Sequence, residues 1–410
     1  MISFHGATQV LLPPEPGLQF LRGDRADEMT LKPGGLTAEG GVIVSLEPSA
    51  AAGLSVDASG CALLPGLVDC HTHLPFAGWR AHEYEQKVTG VPYEEIARAG
   101  GGIASSARSL RETPDDLVVA QASSLASEML AAGTTTFECK SGYGLSKEGE
   151  LRALRLAVQL GEVAEQQSTR TALLAHAIPP GYTTDSWMDE VEAMAPEALA
   201  YASALDIFVE SIAFGLEHLE RLGQLATGAG VALRAHVEQF STMRSVPVAL
   251  AHGARSLDHL SQIDPDDIGP LARSQCAAVL LPGAELMGAE ECAPARKLIE
   301  AGAILVLATD ANPGTSPIFS LPLIVGLAVR RYGLSTREAL LAVTLNPAYV
   351  LGLSPEVGSI EVGKRADLVL LDGPAEHVAY RLGHNPVAAT FVGGRPVYVR
   401  PDATWRISRR

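Results

Sequence analysis

Polar residues able to bind a metal or move a proton fall where apolar runs end. His71 and His73 follow CALLPGLVD in VDCHTH, and His176 closes TALLAH. His236 stands near the end of VALRAHV, His259 lies in SLDHL, and Asp310 closes AILVLATD. Residues two apart in extended chain project to the same side. His71 and His73 can therefore share one cation while Thr72 faces away. His236 and Asp310 complete a mixed nitrogen and oxygen set suited to zinc or ferrous iron. An ion held this way brings the pKa of its water toward ~7. Asp310 is placed to take the proton from that water. His259, not needed as a ligand, can polarise a carbonyl oxygen or donate a proton. His5, His82, His218, His252, His377 and His384 fall outside the pattern and read as ordinary core or surface side chains.

These residues converge only if the fold brings strand ends together. Eight apolar, β-rich runs recur, at 61–69, 134–141, 171–176, 205–211, 231–237, 256–260, 277–283 and 303–310. Amphipathic helical patterns separate most of them, as at 114–132, 148–165, 215–229 and 293–302. Alternation of this kind predicts a parallel (β/α)8 TIM barrel, whose strand C-termini share one mouth. A doubly wound open sheet is the alternative, but its GxGxxG fingerprint after a strand is missing. AGGGI at 99–103 follows the helix-like PYEEIARA and reads as a mobile loop near the first strand. Both chain ends look different. Short apolar runs broken by Pro and Gly fill the first 60 residues, and GSIEVGKRADLVLLDG and TFVGGRPVYVR recur after 357. Gly393-Gly394 marks a hairpin turn. We expect a composite β-sandwich domain from 1–60 and 357–410, and the (β/α)8 barrel over 61–356.

Composition narrows the function. The 410 residues carry 31 Lys+Arg against 47 Asp+Glu, a formal charge of −16. Such a surface argues against nucleic acid and anionic membranes as partners. Hydrophobic residues make up 47% and charged residues 19%, which gives ample core and no case for disorder. Cys61, Cys70, Cys139, Cys276 and Cys292 form no CxxC pair, so no disulfide framework or cysteine zinc cluster is expected. The first residues lack a basic, signal-like segment, and no apolar run reaches the ~18–20 residues of a membrane helix. A reducing cytoplasm is the expected compartment.

PGLVDCHTH at 65–73, the histidine after the fifth strand, Asp258-His259, Thr309-Asp310 and the tail GSIEVGKRADLVLLD together resemble the metal-dependent amidohydrolases. Within them, HTHLPFAGWR, GTTTFECKSGYGL, LLAHAIPP, AHVEQF and ATDANPGTSP are similar to the imidazolonepropionase family, across nearly the whole chain. The resemblance implies metal-dependent hydrolysis of a ring C–N bond in 4-imidazolone-5-propanoate, giving N-formimidoyl-L-glutamate in histidine degradation. It implies one zinc or iron ion per chain on His71, His73, His236 and Asp310, and a homodimer. It implies contacts to a small anionic heterocycle from Arg80, Tyr143, His176, Asn312, Gly314 and Thr315. Arg80, seven residues beyond His73, suits the substrate carboxylate. Some relatives carry Asp-Glu where this chain has Glu238-Gln239. Gln239 is expected as a substrate contact that can hydrogen-bond but cannot act as a base; either Glu238 takes over beside Asp310 and His259 in the chemistry, or the role is pure binding. Lys140 matches the position where some amidohydrolases carry a carboxylated, metal-bridging lysine, but its surroundings resemble the single-metal family. Glu138 reads as an inward barrel residue. Two alternatives are a sibling amidohydrolase that deaminates a nitrogen heterocycle and a non-catalytic scaffold on the same fold. The presence of all four expected ligands counts against the scaffold.

Overall fold

The structure is a computed structural model; it describes all residues other than 92, 289, 290 and 410, and leaves aside the side chains of 93, 94 and 97. Its first strands are β1 (Ile2–Leu12), β2 (Thr30–Glu39), β3 (Val42–Ser45), β4 (Leu54–Asp57) and β5 (Ala62–Pro65). The barrel strands follow: β6 (Leu67–Asp69), β7 (Thr134–Lys140), β8 (Gln167–Ala175), β9 (Ala204–Val209), β10 (Ala232–Val237), β11 (Ser256–His259), β12 (Ala277–Leu280) and β13 (Ile304–Leu307). Last come β14 (Leu368–Leu371), β15 (Val387–Val392), β16 (Arg395–Val399) and β17 (Ile407–Arg409).

Strands β6 to β13 pair in order, all parallel, as an eight-stranded sheet. The parallel bridge Thr72–Ala311 brings its two edges together. Apart from the half-buried first residues of β8, the barrel strands are almost wholly buried. Parallel strands covered by helices on one side and filled by side chains on the other read as apolar runs, not as alternation. The helices pack outside. α1 (Ala81–Val88), α2 (Tyr93–Arg98), α3 (Ile103–Glu112) and α4 (Asp115–Ala131) lie between β6 and β7, and α5 (Lys147–Val163) follows β7. Then come α6 (Thr184–Ala198), α7 (Leu216–Ala229), α8 (Ser245–Ala251), α9 (Pro265–Arg273), α10 (Pro282–Gly288) and α11 (Ala295–Glu300). The four helical patterns singled out in the sequence correspond to α4, α5, α7 and α11. The helix-like stretch from 92 starts on a residue outside those described and continues as α2. Helix starts are chemically marked: the Ser146 side chain accepts from Gly149 N ahead of α5, and Thr183 and Ser186 cap α6 reciprocally.

The outer strands form a second, nine-stranded sheet built from both chain ends. Its core contains Phe4, Leu36, Val56, Leu63, Leu368 and Phe391. Gly393 and Gly394 both have positive φ (54° and 71°), as a two-residue hairpin between β15 and β16 requires. This sheet reaches past residue 60. The apolar run 61–69 is two strands: β5 pairs with β1 and β14, while β6 pairs with β7. Gly66 makes the crossing. A Cβ there would overlap the Thr135 side chain, so the chain can step between sheets only without one.

Candidate active site

The mouth of the barrel collects the residues singled out above. His71, His73 and His236 are buried and present ring nitrogens within 4.8 Å of one another. Asp310 Oδ1 lies 3.5 Å from His71 Nε2 and 3.2 Å from His73 Nε2. Nε2 of His71 and of His236 has no hydrogen-bond partner although buried. Orphaned buried nitrogens are costly unless something else satisfies them. Their other nitrogens are fixed from behind: His71 Nδ1 lies 2.6 Å from Asp258 and His236 Nδ1 lies 3.1 Å from Asp206. A carboxylate on Nδ1 turns Nε2 into the ligand atom, the pattern of metal-binding histidines. The donor set therefore fits one divalent cation, with three imidazoles and a carboxylate.

Below this layer lies a buried charge cluster. The Lys140 ammonium is 2.6 Å from Asp206 and 3.1 Å from Glu138. Arg234 bonds Asp258 (2.8 Å), Ser256 (2.9 Å), the Cys70 carbonyl (2.8 Å) and Glu138. Glu138 also accepts from Thr171 Oγ1, as an inward barrel residue should. Although burial opposes the charged form, Asp206, Glu138 and Asp258 raise the Lys140 pKa. It therefore stays an ammonium, not the neutral amine that carboxylation needs. Its contacts are carboxylates, which suits a counter-cation beneath the ligands and not a metal bridge.

His259 is buried, and desolvation pulls its pKa down to about 3. It is a neutral imidazole near pH 7, so donation of a hydrogen bond is its available role. Although burial pushes the Asp310 carboxyl up, the adjoining His71 and His73 rings hold it well below the usual carboxylate range. Glu238, His259 and Asp310 all have positive φ, of 53°, 82° and 52°. Non-glycine residues held there store backbone strain, which tends to collect at functional sites.

A cleft of about 40 Å³ opens above the ligands, lined by Arg80, Tyr143, His176, Gln239, His259 and Thr315 among others. Arg80 is buried, donates to Ser106 Oγ (3.1 Å) and pairs with Glu83 (3.4 Å). Gly314 is packed against the Arg80 guanidinium, where a Cβ would collide with it. His176 stacks on His73 at 5.3 Å between centroids, and its Nδ1 lies 3.0 Å from the Gly142 carbonyl. Tyr143 stands 5.4 Å from His176.

Two expectations change. Glu238 does not face the cleft: its oxygens accept from Ser245 N (2.7 Å) and Met243 N (2.8 Å), which fixes the turn into α8. The neighbouring Gln239 lines the cleft instead. Asn312 reaches the cleft wall, but its side chain organises the turn. Its Oδ1 accepts from Gly314 N (2.9 Å) and Thr315 N (2.7 Å), and its Nδ2 donates to the Asp310 carbonyl (2.6 Å). Sequence reasoning passed over Ile103, Phe208 and Phe240 in the cleft wall. It also left Asp206 and Arg234 without a role, although a charge inside an apolar barrel run was a signal for each.

The amidohydrolase family matches residues 62–397. An imidazolonepropionase of Rubrobacter xylanophilus is 45% identical over 343 residues, 83% of each chain. One from Herpetosiphon aurantiacus is 39% identical over 397 residues, 92% of this chain and 93% of the relative. Among solved structures, a zinc-bound adenosine deaminase from Xanthomonas campestris aligns with a TM-score of 0.69 at 21% identity, over 97% of this chain and 93% of that one. Escherichia coli guanine deaminase aligns with a TM-score of 0.69 at 16% identity, over 98% and 100%. Those two likenesses establish the shared fold. With the ligand set, the cleft and the full-length relatives together, the chain belongs to the amidohydrolase family and, within it, to the imidazolonepropionase family.

Proposed function

We infer that the protein opens the ring of 4-imidazolone-5-propanoate by hydrolysis, releasing N-formimidoyl-L-glutamate. The observation that carries this is one buried arginine in the cleft above three clustered, buried imidazoles and a strained aspartate. The cation receives the propionate, and the opposite wall performs the hydrolysis. His71, His73, His236 and Asp310 hold the ion, zinc or iron. Bound there, it supplies Lewis acidity and makes water a nucleophile near neutral pH.

The chain's own groups then divide the work. Asp310 takes a proton from the attacking water and returns one to the departing ring nitrogen. Neutral His259 donates a hydrogen bond to the carbonyl oxygen as charge builds on it, the role of a preorganised oxyanion donor. Arg80 grips the propionate, with Gly314 leaving room for its guanidinium. Tyr143, His176, Gln239 and Thr315 border the ring, and Asn312 shapes the loop that carries Thr315. The same reading includes a homodimer in the cytoplasm, in keeping with an acidic chain of unpaired cysteines.

The test is to incubate metal-loaded protein with freshly made imidazolone propionate and follow ring absorbance with formimidoyl-glutamate. Asp310→Asn should lose at least ~100-fold in kcat, as general acid–base groups contribute ~10²–10⁴. Ring opening at near wild-type rate by that variant overturns the role of Asp310. Ammonia release from a nucleobase with no ring opening favours the deaminase alternative.

A further inference from the structure

Ring opening changes the number of carboxylates. Water adds its oxygen to the ring carbonyl carbon, and the bond from that carbon to the ring nitrogen breaks. One water proton passes to the departing nitrogen, the other to the amidine that it becomes part of. The former carbonyl is now a carboxylate. The substrate carries one such group, the product two. Arg80 accounts for the first. The second forms at the reacting carbon, beside Asp310 and His259, where a cation besides the ion can hold it.

We propose that Lys87 is that cation: a product-binding residue that receives the carboxylate created by ring opening. The inference rests on the hydrolytic reading above. Lys87 stands on α1 seven residues after Arg80, two helical turns on, so both lie on one face of the segment. It borders a hollow with Gln239, Phe240, His259, Ser261 and Thr315. Gln239, Phe240, His259 and Thr315 also line the catalytic cleft, so the hollow opens off that cleft on the His259 side. Its volume is about 10 Å³, which is roughly the space of one water or one carboxylate oxygen. The ammonium lies against Gly288, at the end of α10; a Cβ there would come within 2.5 Å of Nζ. Glu285, which also lines the hollow, has its oxygens engaged by Tyr332 (2.7 Å), Ala293 N (2.8 Å) and Ser261 (3.2 Å). Burial and the nearby Arg80 both disfavour the Lys87 charge, while Glu83 favours it.

The test compares wild type with Lys87→Met, which keeps most of the aliphatic stem. Substrate KM and the inhibition constant of N-formimidoyl-glutamate are measured in metal-loaded enzyme. Calorimetry on the same protein compares glutarate with butyrate. The expected result is a rise of about 10-fold in the ratio of product inhibition constant to KM, the size of one charge-assisted hydrogen bond. Glutarate should also lose its advantage over butyrate, and Lys87→Arg should restore part of it. An unchanged ratio overturns the proposal, whether neither constant moves or both rise together; the latter would place Lys87 on the propionate instead. Wild-type protein that opens no ring defeats the hydrolytic reading itself, and the glutarate comparison then reads the lysine separately.

Discussion

At Gly314 a missing side chain shapes the cleft. The Arg80 guanidinium occupies the space a Cβ would take. Gly314→Ala should push Arg80 off its position and raise the substrate KM by about 10-fold or more, since hydrogen bonds to charged groups are worth ~1.5–3 kcal/mol. Steady-state kinetics beside a urea melt separates this from unfolding: KM moves with little change in midpoint. No composition rule singles this glycine out, because its partner lies more than 200 positions away in sequence. The expected metal ligands were different. Histidines and an aspartate at the ends of apolar runs were legible because a barrel sends strand ends to one mouth. Glu238 and Gln239 were harder. Adjacent residues at a strand end turn to opposite sides, and only the local φ decides which one sees the cleft.

Elements carry the next layer of organisation. The loop after β7 holds Tyr143 and the carbonyl that meets His176, and α5 fastens it through a single side chain. The buried Glu150 carboxylate accepts from Gly142 N (2.8 Å), Gly144 N (2.7 Å) and Leu145 N (2.9 Å). Burial pushes its pKa up, and those bonds pull it back. Glu150→Gln replaces one acceptor oxygen with an NH2 and leaves an N–H without a partner. The cost should be ~1–3 kcal/mol of stability, read as a lower urea midpoint, with KM rising as Tyr143 and His176 lose their register. The barrel itself was legible from eight apolar runs separated by helical patterns. The split of 61–69 into β5 and β6 was not. Both halves are buried by different sheets, so hydropathy runs through the crossing unbroken, and only Gly66 marks it.

On the scale of the whole molecule, a charge of −16 coexists with a mouth that takes an anion. Arg80, Lys87 and the ion supply the positive side, and His259 does not contribute. Buried carboxylates face Lys140 and Arg234 under the mouth, so this cluster adds little net charge beneath the approaching substrate. The terminal sheet has one more consequence. β1 and β17 flank β4, with Ile2 and Arg409 both paired to Leu54. Two strand spacings separate them, about 10 Å, which a linker of roughly four residues spans. The backbone is thus close to a ring, and its opening can be moved. Joining these ends and cutting between Ala229 and Gly230, an exposed turn that leads into the start of β10 at the end away from the mouth, should give a circular permutant with the same helical content, the same metal stoichiometry and a cooperative melt. A permutant that aggregates or loses its metal would show that the order of synthesis, and not the closed architecture, is what the fold depends on.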